Sequence, residues 1–180
     1  IPVDLTEAKK IVDEFKPLFE NEKIVKVGQN IKYDSLILKW YGIEVKGKYF
    51  DTMVAHYLLE PELRHNMNFL AQSYLGYDCV SIETLIGKKG KKQLTMRDVS
   101  VEKAGEYAAE NADLTLQLQS ELQPLLKEEK LQILYNQLEE PLINVLVDLE
   151  FEGIKLNSEF LKNYSKELEA EVENLKKDIH

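Results

Sequence analysis

Apolar side chains recur at helical spacing through the first twenty positions: Ala8, Ile11, Val12, Phe15, Leu18 and Phe19 share one face. This predicts a helix over 5–20, kinked or ended at Pro17, whose ring cannot continue the backbone ladder. A turn at 21–23 follows. Ile24, Val25 and Val27 then predict a short strand running into Gly28, with Lys23 and Lys26 keeping it from complete burial on both faces. Helix-compatible residues fill 30–41, with Ile31, Leu36, Ile37, Leu38 and Trp40 at apolar positions and Gly42 as the stop. Positions 49–52 predict a second short strand, with Thr52 capping a helix that runs to Leu59 and is closed by Pro61. Strand, helix, strand and helix joined by short links predict an α/β domain.

The second half reads as mostly helical. A helix follows Asn66 and Met67 through Leu70, Ala71 and Tyr74 and ends at Gly76; Ser81 starts a helix of one to two turns; Thr95–Asp98 predicts a short turn or helical piece. From Val101 a long helix is expected to about Leu126, interrupted or bent near Pro124. Another is expected over 131–151 despite Pro141, ended by Gly153. Asn157 or Ser158 caps a charged final helix, whose apolar Tyr164, Leu168, Val172 and Leu175 recur at heptad-like spacing and call for a partner helix. A soft domain boundary falls at 130–140. Two or three short strands are fewer than a usual sheet holds, which predicts a piece of a longer chain with an exposed sheet edge open to pairing with another copy.

Composition narrows the class. The 180 residues are 44% apolar and 31% charged, as expected of a helix-rich globular chain. No apolar run reaches the ~20 residues of a membrane span, and no signal peptide is seen at the start. The single cysteine, Cys79, excludes an internal disulfide, suits a reducing cytoplasm and reads as a small hydrophobe rather than a nucleophile. The net charge of −9 argues against broad electrostatic contact with nucleic acid. It leaves room for an enzyme that meets phosphates through cations held by carboxylates. The one basic run, Lys88, Lys89, Lys91 and Lys92, reads as a solvated loop or as a phosphate-backbone contact.

The chemistry gathers at Gly28–Asp34. Gln29, Asn30, Tyr33 and Asp34 crowd a glycine turn at a helix start. Asn30 and Asp34 share a face, as do Asn30 and Tyr33. One reading makes Asn30 an N-cap and Asp34 a solvated first-turn carboxylate; the other makes them a binding site. Tyr107 and Asn111, at i and i+4 on a helix, project side by side. One reading makes this the close-packed side of a helix with Tyr107 an interfacial aromatic; an acidic residue in place of Asn111 would make with the tyrosine hydroxyl a water-positioning and metal-binding pair.

Five motifs stand in order: Gly-Gln-Asn-Ile-Lys-Tyr-Asp at 28–34, Phe-Asp-Thr-Met at 50–53, Arg-His-Asn-Met at 64–67, Gln-Leu-Thr at 93–95, and Tyr-Ala-Ala-Glu-Asn-Ala-Asp-Leu-Thr-Leu-Gln-Leu at 107–118. In order and spacing they resemble the proofreading domain of the bacterial DNA polymerase I family. The stretch from Glu140-Pro141 to Gly153-Ile154-Lys155-Leu156 is similar to that family's passage into its polymerase region. The resemblance implies a ribonuclease-H-like α/β exonuclease domain of the DEDDy type over 1–135 and the start of the helical polymerase domain over 136–180. It implies removal of 3′-terminal nucleotides by two-metal hydrolysis. In that chemistry two Mg²⁺ or Mn²⁺ ions ~4 Å apart activate a water and stabilise the leaving oxygen. Oxygen ligands suit these ions.

By matching position, the resemblance makes Asp34 a metal-holding carboxylate and Tyr107 the residue that orients the attacking water. Gln29, Asn30 and Tyr33 would line the path of a single-stranded 3′ end, and Arg64 would contact phosphate. His65 reads as a hydrogen-bonded structural residue rather than a base. Two departures stand out. The family's Asp-x-Glu on its first strand is absent ahead of Gly28, and Asn111 replaces the aspartate of the Tyr-x-x-x-Asp motif. An amide oxygen ligates without negative charge, so metal binding should weaken. The expectation is a chain that is inactive alone, or nearly so, and that depends on the rest of a polymerase. Other readings are a degenerate exonuclease domain kept as scaffold, a helical interaction module without enzymatic activity, and a stand-alone RNA-trimming exonuclease, against which the polymerase-like tail counts.

Overall fold

A computed structural model describes residues 5–179. Two helices, α1 (Leu5–Glu14) and α2 (Lys16–Phe19), precede strand β1 (Lys26–Gly28). Helix α3 (Ile31–Trp40) then crosses to β2 (Tyr49–Asp51), which runs directly into α4 (Thr52–Leu59). The strands pair in parallel, Lys26 opposite Tyr49, Val27 opposite Phe50 and Gly28 opposite Asp51. Parallel strands need such a crossover, and the α/β class follows from it. Helices α5 (Met67–Leu70), α6 (Ile82–Ile86), α7 (Val101–Glu128), α8 (Gln132–Leu134), α9 (Glu140–Glu152) and α10 (Ser158–Ile179) complete the chain. None is long and apolar enough to cross a membrane, among the described residues.

Each face of the small sheet is covered. On one, Phe50 meets Ala55 of α4, Leu70 of α5, Leu118, Leu122 and Leu126 of α7, and Tyr135. On the other, Tyr49 and Ile31 meet Ile143 and Val147 of α9. Helix α9 lies along α3, and the ion pairs Lys32–Glu150 and Lys39–Asp148 flank that contact. Lys26 is buried, its ammonium donating to the carbonyls of Asn21 and Lys46, and desolvation holds its pKa below the usual lysine value. Gly47 sits at φ +87°, and a Cβ there would meet the Glu22 carbonyl oxygen at 2.7 Å. Only glycine closes the chain against that segment.

Several sequence expectations shift. The first helix divides at Phe15, and Pro17 lies in the opening turn of α2, where its missing N–H costs nothing. Strand β1 begins at Lys26 rather than Ile24. The cap of α4 is Asp51, not Thr52. Helix α7 runs unbroken through Pro124. Its buried Leu118, Leu122 and Leu126 lie on both sides of the proline and pin both halves to one core. Between α8 and α9 a π-helical turn spans Tyr135–Glu139, and Pro141 lies in the first turn of α9. Asn157 caps α10, its Oδ1 accepting from the Phe160 N–H at 3.0 Å. The apolar residues of α10, including Tyr164, Leu168, Val172 and Leu175, are exposed.

Candidate functional site

The turn between β1 and α3 is built from outside itself. Asn30 stands in the left-handed region, φ 59° and ψ 48°, and its side chain makes no capping bond. Asparagine tolerates this backbone better than most residues. The acceptor that the first helical N–H groups need comes instead from Asp51, at the end of β2. Asp51 Oδ2 accepts from the Ile31 N–H at 2.7 Å, and Oδ1 accepts from the Asn30 N–H at 3.2 Å. The same Oδ1 accepts from Met53 and Val54 of α4, at 2.8 and 3.2 Å. Asp51 is 1% exposed. Burial raises its carboxyl's pKa, against the lowering pull of those four N–H groups.

One turn along α3, the Asp34 side chain reaches solvent and makes no hydrogen bond or ion pair among the described residues. The protein packed beneath it disfavours its charge, and the Asp51 carboxylate adds repulsion, so its pKa is raised. An apolar hollow of about 660 Å³ lies beside it, lined by Phe19, Val25, Val27, Ile31 and Ile37, with Tyr33 and Asp34 also in its wall. Tyr33 is 60% exposed.

The loop carrying Arg64 is fastened to this turn. Gln29 Nε2 donates to the His65 carbonyl at 2.7 Å, and Gln29 Oε1 accepts from the Thr52 hydroxyl. Both ends of the Gln29 amide are therefore engaged within the fold. Arg64 is exposed and forms no ion pair among the described residues. His65 is hydrogen-bonded within the fold: its Nδ1 lies 2.7 Å from Nδ1 of His56, one of them donating. His56 is 1% exposed, and its buried Nε2 has no hydrogen-bond partner among the described residues. Burial and the neighbouring His65 lower its pKa.

Tyr107 and Asn111 lie on α7, both half-buried. Asn111 Nδ2 donates to the Tyr107 carbonyl at 2.9 Å, which leaves Oδ1 as its free ligating atom. Helix α7 packs on β1 and α4. No hydrogen bond joins Asp34 to Tyr107 or Asn111 among the described residues. The structure thus ties Gln29, Asn30 and the Arg64 loop together by hydrogen bonds, sets Asp34 one turn along α3 without a bond of its own, and carries the Tyr107–Asn111 pair on a separate helix.

Two residues of this framework escaped the sequence reading. Asp51 had a signal, an aspartate at a strand end immediately before a helix. Glu110 had none. It accepts from the Tyr77 hydroxyl at 2.7 Å and from the Val80 N–H at 3.2 Å, fixing the 77–80 segment to α7 beside Asn111. In that segment burial raises the Cys79 pKa, which keeps it a thiol. The lysine loop at 88–92 is exposed.

The donor set falls short of what a pair of divalent ions needs. Asp51 is buried, with three N–H groups on Oδ1 and one on Oδ2, and presents no open face to an ion. Among the described residues no three His, Cys, Asp or Glu side chains cluster as a metal site. What remains is the free carboxylate of Asp34 and the amide oxygen of Asn111. One charge and one neutral oxygen do not fit two dications.

A family model described as 3′–5′ exonuclease, of the DNA polymerase A type, matches residues 1–127. The chain is 38% identical over 166 residues to DNA polymerase I of Rhizobium leguminosarum, covering 92% of this chain and 16% of that protein. It is 38% identical over 169 residues to DNA polymerase I of Pseudomonas aeruginosa, covering 92% and 18%. With DNA polymerase I of Bacillus subtilis it shares 30% over 181 residues, covering 100% and 20%. The chain spans a fifth or less of the length of these curated relatives.

Proposed function

The chain belongs to the 3′–5′ exonuclease family of the DNA polymerase A type, and on that premise we propose that its 28–34 turn receives the single-stranded 3′ end of DNA within a longer polymerase chain. The fold is then a ribonuclease-H-like exonuclease of the DEDDy type over 1–135, and 136–180 opens the polymerase domain. The observation that carries the reading is the Gln29 tie: it fastens the loop carrying the exposed Arg64 to the turn that leads into the exposed Tyr33. Cations and stacking rings together are the means by which proteins track a single strand. Asn30 shapes the turn, and Gln29 acts by fastening it.

Asp34 and the Asn111 amide oxygen would contribute ligands to Mg²⁺ or Mn²⁺, but they fall short of a two-metal centre, and no cleavage step is assigned to them. The family's Asp-x-Glu carboxylates would have to come from other parts of a polymerase chain. Asn111 favours a second reading, in which the domain has lost cleavage and serves the polymerase as scaffold while still holding single strands.

The test is fluorescence anisotropy with a 5′-labelled oligothymidylate in Mg²⁺. Binding that prefers the single strand to a duplex, and that falls on Tyr33→Ala or Arg64→Ala, is expected. Absence of single-strand binding at micromolar concentration would sink the reading.

A further inference from the structure

We infer that Asp51 is a positioning residue, one carboxylate that sets the substrate-facing turn by capping α3 and α4 together. The inference rests on the binding role proposed for that turn. Helix capping is normally local: a side chain bonds N–H groups two or three positions onward. Asp51 does this for α4 through Met53 and Val54, and its second oxygen reaches a different helix twenty positions earlier. The bond across, 2.7 Å to Ile31, is the shortest of the four.

The chemistry requires a carboxylate. Both oxygens face N–H donors, so both must accept. An asparagine offers one acceptor and one donor. Whichever way its amide turns, NH₂ confronts an N–H group of one helix. A serine offers one oxygen, enough for α4 but too short to serve Ile31. The site is buried, so water does not stand in for the lost acceptor. The ends of two helices both favour a negative charge here, and no cation is paired with Asp51 among the described residues.

Asp51 is itself held. Its N–H donates to the Tyr135 hydroxyl oxygen at 2.7 Å. It sits opposite Gly28 in the sheet register, and a Cβ on Gly28 would meet the Ile31 side chain at 3.0 Å. The glycine lets the α3 start approach closely, and Asp51 fixes it there. Asn30 keeps its left-handed backbone because its own N–H is bonded to the same carboxylate. Tyr33 and Asp34 follow within one turn, so their placement relative to β2 passes through Asp51.

The experiment uses the whole chain, backbone-assigned by NMR, with an eight-residue oligothymidylate as probe. In the unmodified chain the Asn30 and Ile31 amides should resist hydrogen exchange as Met53 and Val54 do. Rapid exchange at Asn30 and Ile31 alone would overturn the proposal, and this reading needs no variant. In Asp51→Ser, α4 should stay protected while the Asn30 and Ile31 amides move and lose protection. Oligothymidylate affinity should fall roughly tenfold, about the loss of one charge-assisted hydrogen bond. Unchanged affinity in a folded Asp51→Ser chain rejects the positioning role. Should that variant not fold, Asp51→Asn is judged by the same two readouts. If the unmodified chain does not bind oligothymidylate, the proposed function fails, and the exchange pattern still decides whether Asp51 sets the turn.

Discussion

Tyr135 accepts the backbone N–H of Asp51 on its phenol oxygen at 2.7 Å, across 84 positions of sequence. The Tyr135 ring also packs on Phe50, with centroids 5.4 Å apart. Tyr135→Phe keeps that packing and deletes the acceptor, leaving a buried N–H unsatisfied. A loss of about 1–3 kcal/mol is expected, read by urea denaturation. A loss near zero would show that the N–H finds another partner.

Asp34→Asn should stabilise the metal-free chain at neutral pH. Its folded carboxyl binds protons more tightly than an unfolded one, so ionisation at pH 7 works against folding. The gain in Tm should be present at pH 7, shrink as pH falls through the raised folded value, and be gone below the ordinary carboxylate value of ~4, where folded and unfolded carboxyls are both neutral. Thermal melts of the two chains across pH 3–7 decide it; a gain that persists at low pH would assign the effect to packing.

His56 carries the opposite pH dependence. Its folded pKa is lowered, first by burial and then by His65, against the opposing pull of Glu60. Both states are neutral above the free-histidine value of about 6.5. Below it the unfolded chain takes up a proton that the folded chain resists, so stability falls. Melting temperature should drop between pH 7.5 and 5.5, and His56→Leu should flatten that drop. An equal slope in both chains would exclude His56 as its source.

Asn111→Asp adds a charge beside an atom that already has no partner, and it removes the Nδ2 bond to Tyr107. Mn²⁺ affinity should rise, measured by calorimetry, while release of nucleotides from a labelled oligonucleotide stays slight in both chains, because the family's Asp-x-Glu pair is still missing. Robust metal-dependent cleavage by the unmodified chain would contradict this account of the donor set.

Much of the fold could be read along the chain, because helical periodicity and stop residues are local. Gly42 and Gly153 end helices at positive φ as expected, and Gly76 does so for the π-helical turn Ala71–Leu75 that continues α5. What could not be read is long-range. Thr52 was the expected cap for α4, because Thr is a good local cap; Asp51 takes that place since its second oxygen also serves α3. Pro124 looked like a break, because nothing local shows that Leu118 and Leu126 share one core. At the site, residue types and order were legible, and so was the family they resemble. The Gln29–His65 bond, 36 positions apart, was not, because no local pattern marks a side chain that fastens a distant loop.

The π turn at Tyr135–Glu139 works as a phase adaptor. An α-helix advances about 100° per residue, so one residue taken up in a wider turn rotates everything downstream by about that angle. Tyr135 can then face the core beneath Phe50 while Ile143 and Val147, farther along, face Tyr49 and Ile31. Removing a single residue from this turn would restore an ordinary helix and swing the apolar side of α9 away from α3. The cost of that deletion would be one of rotation: every side chain in α9 would keep its chemistry and lose its address.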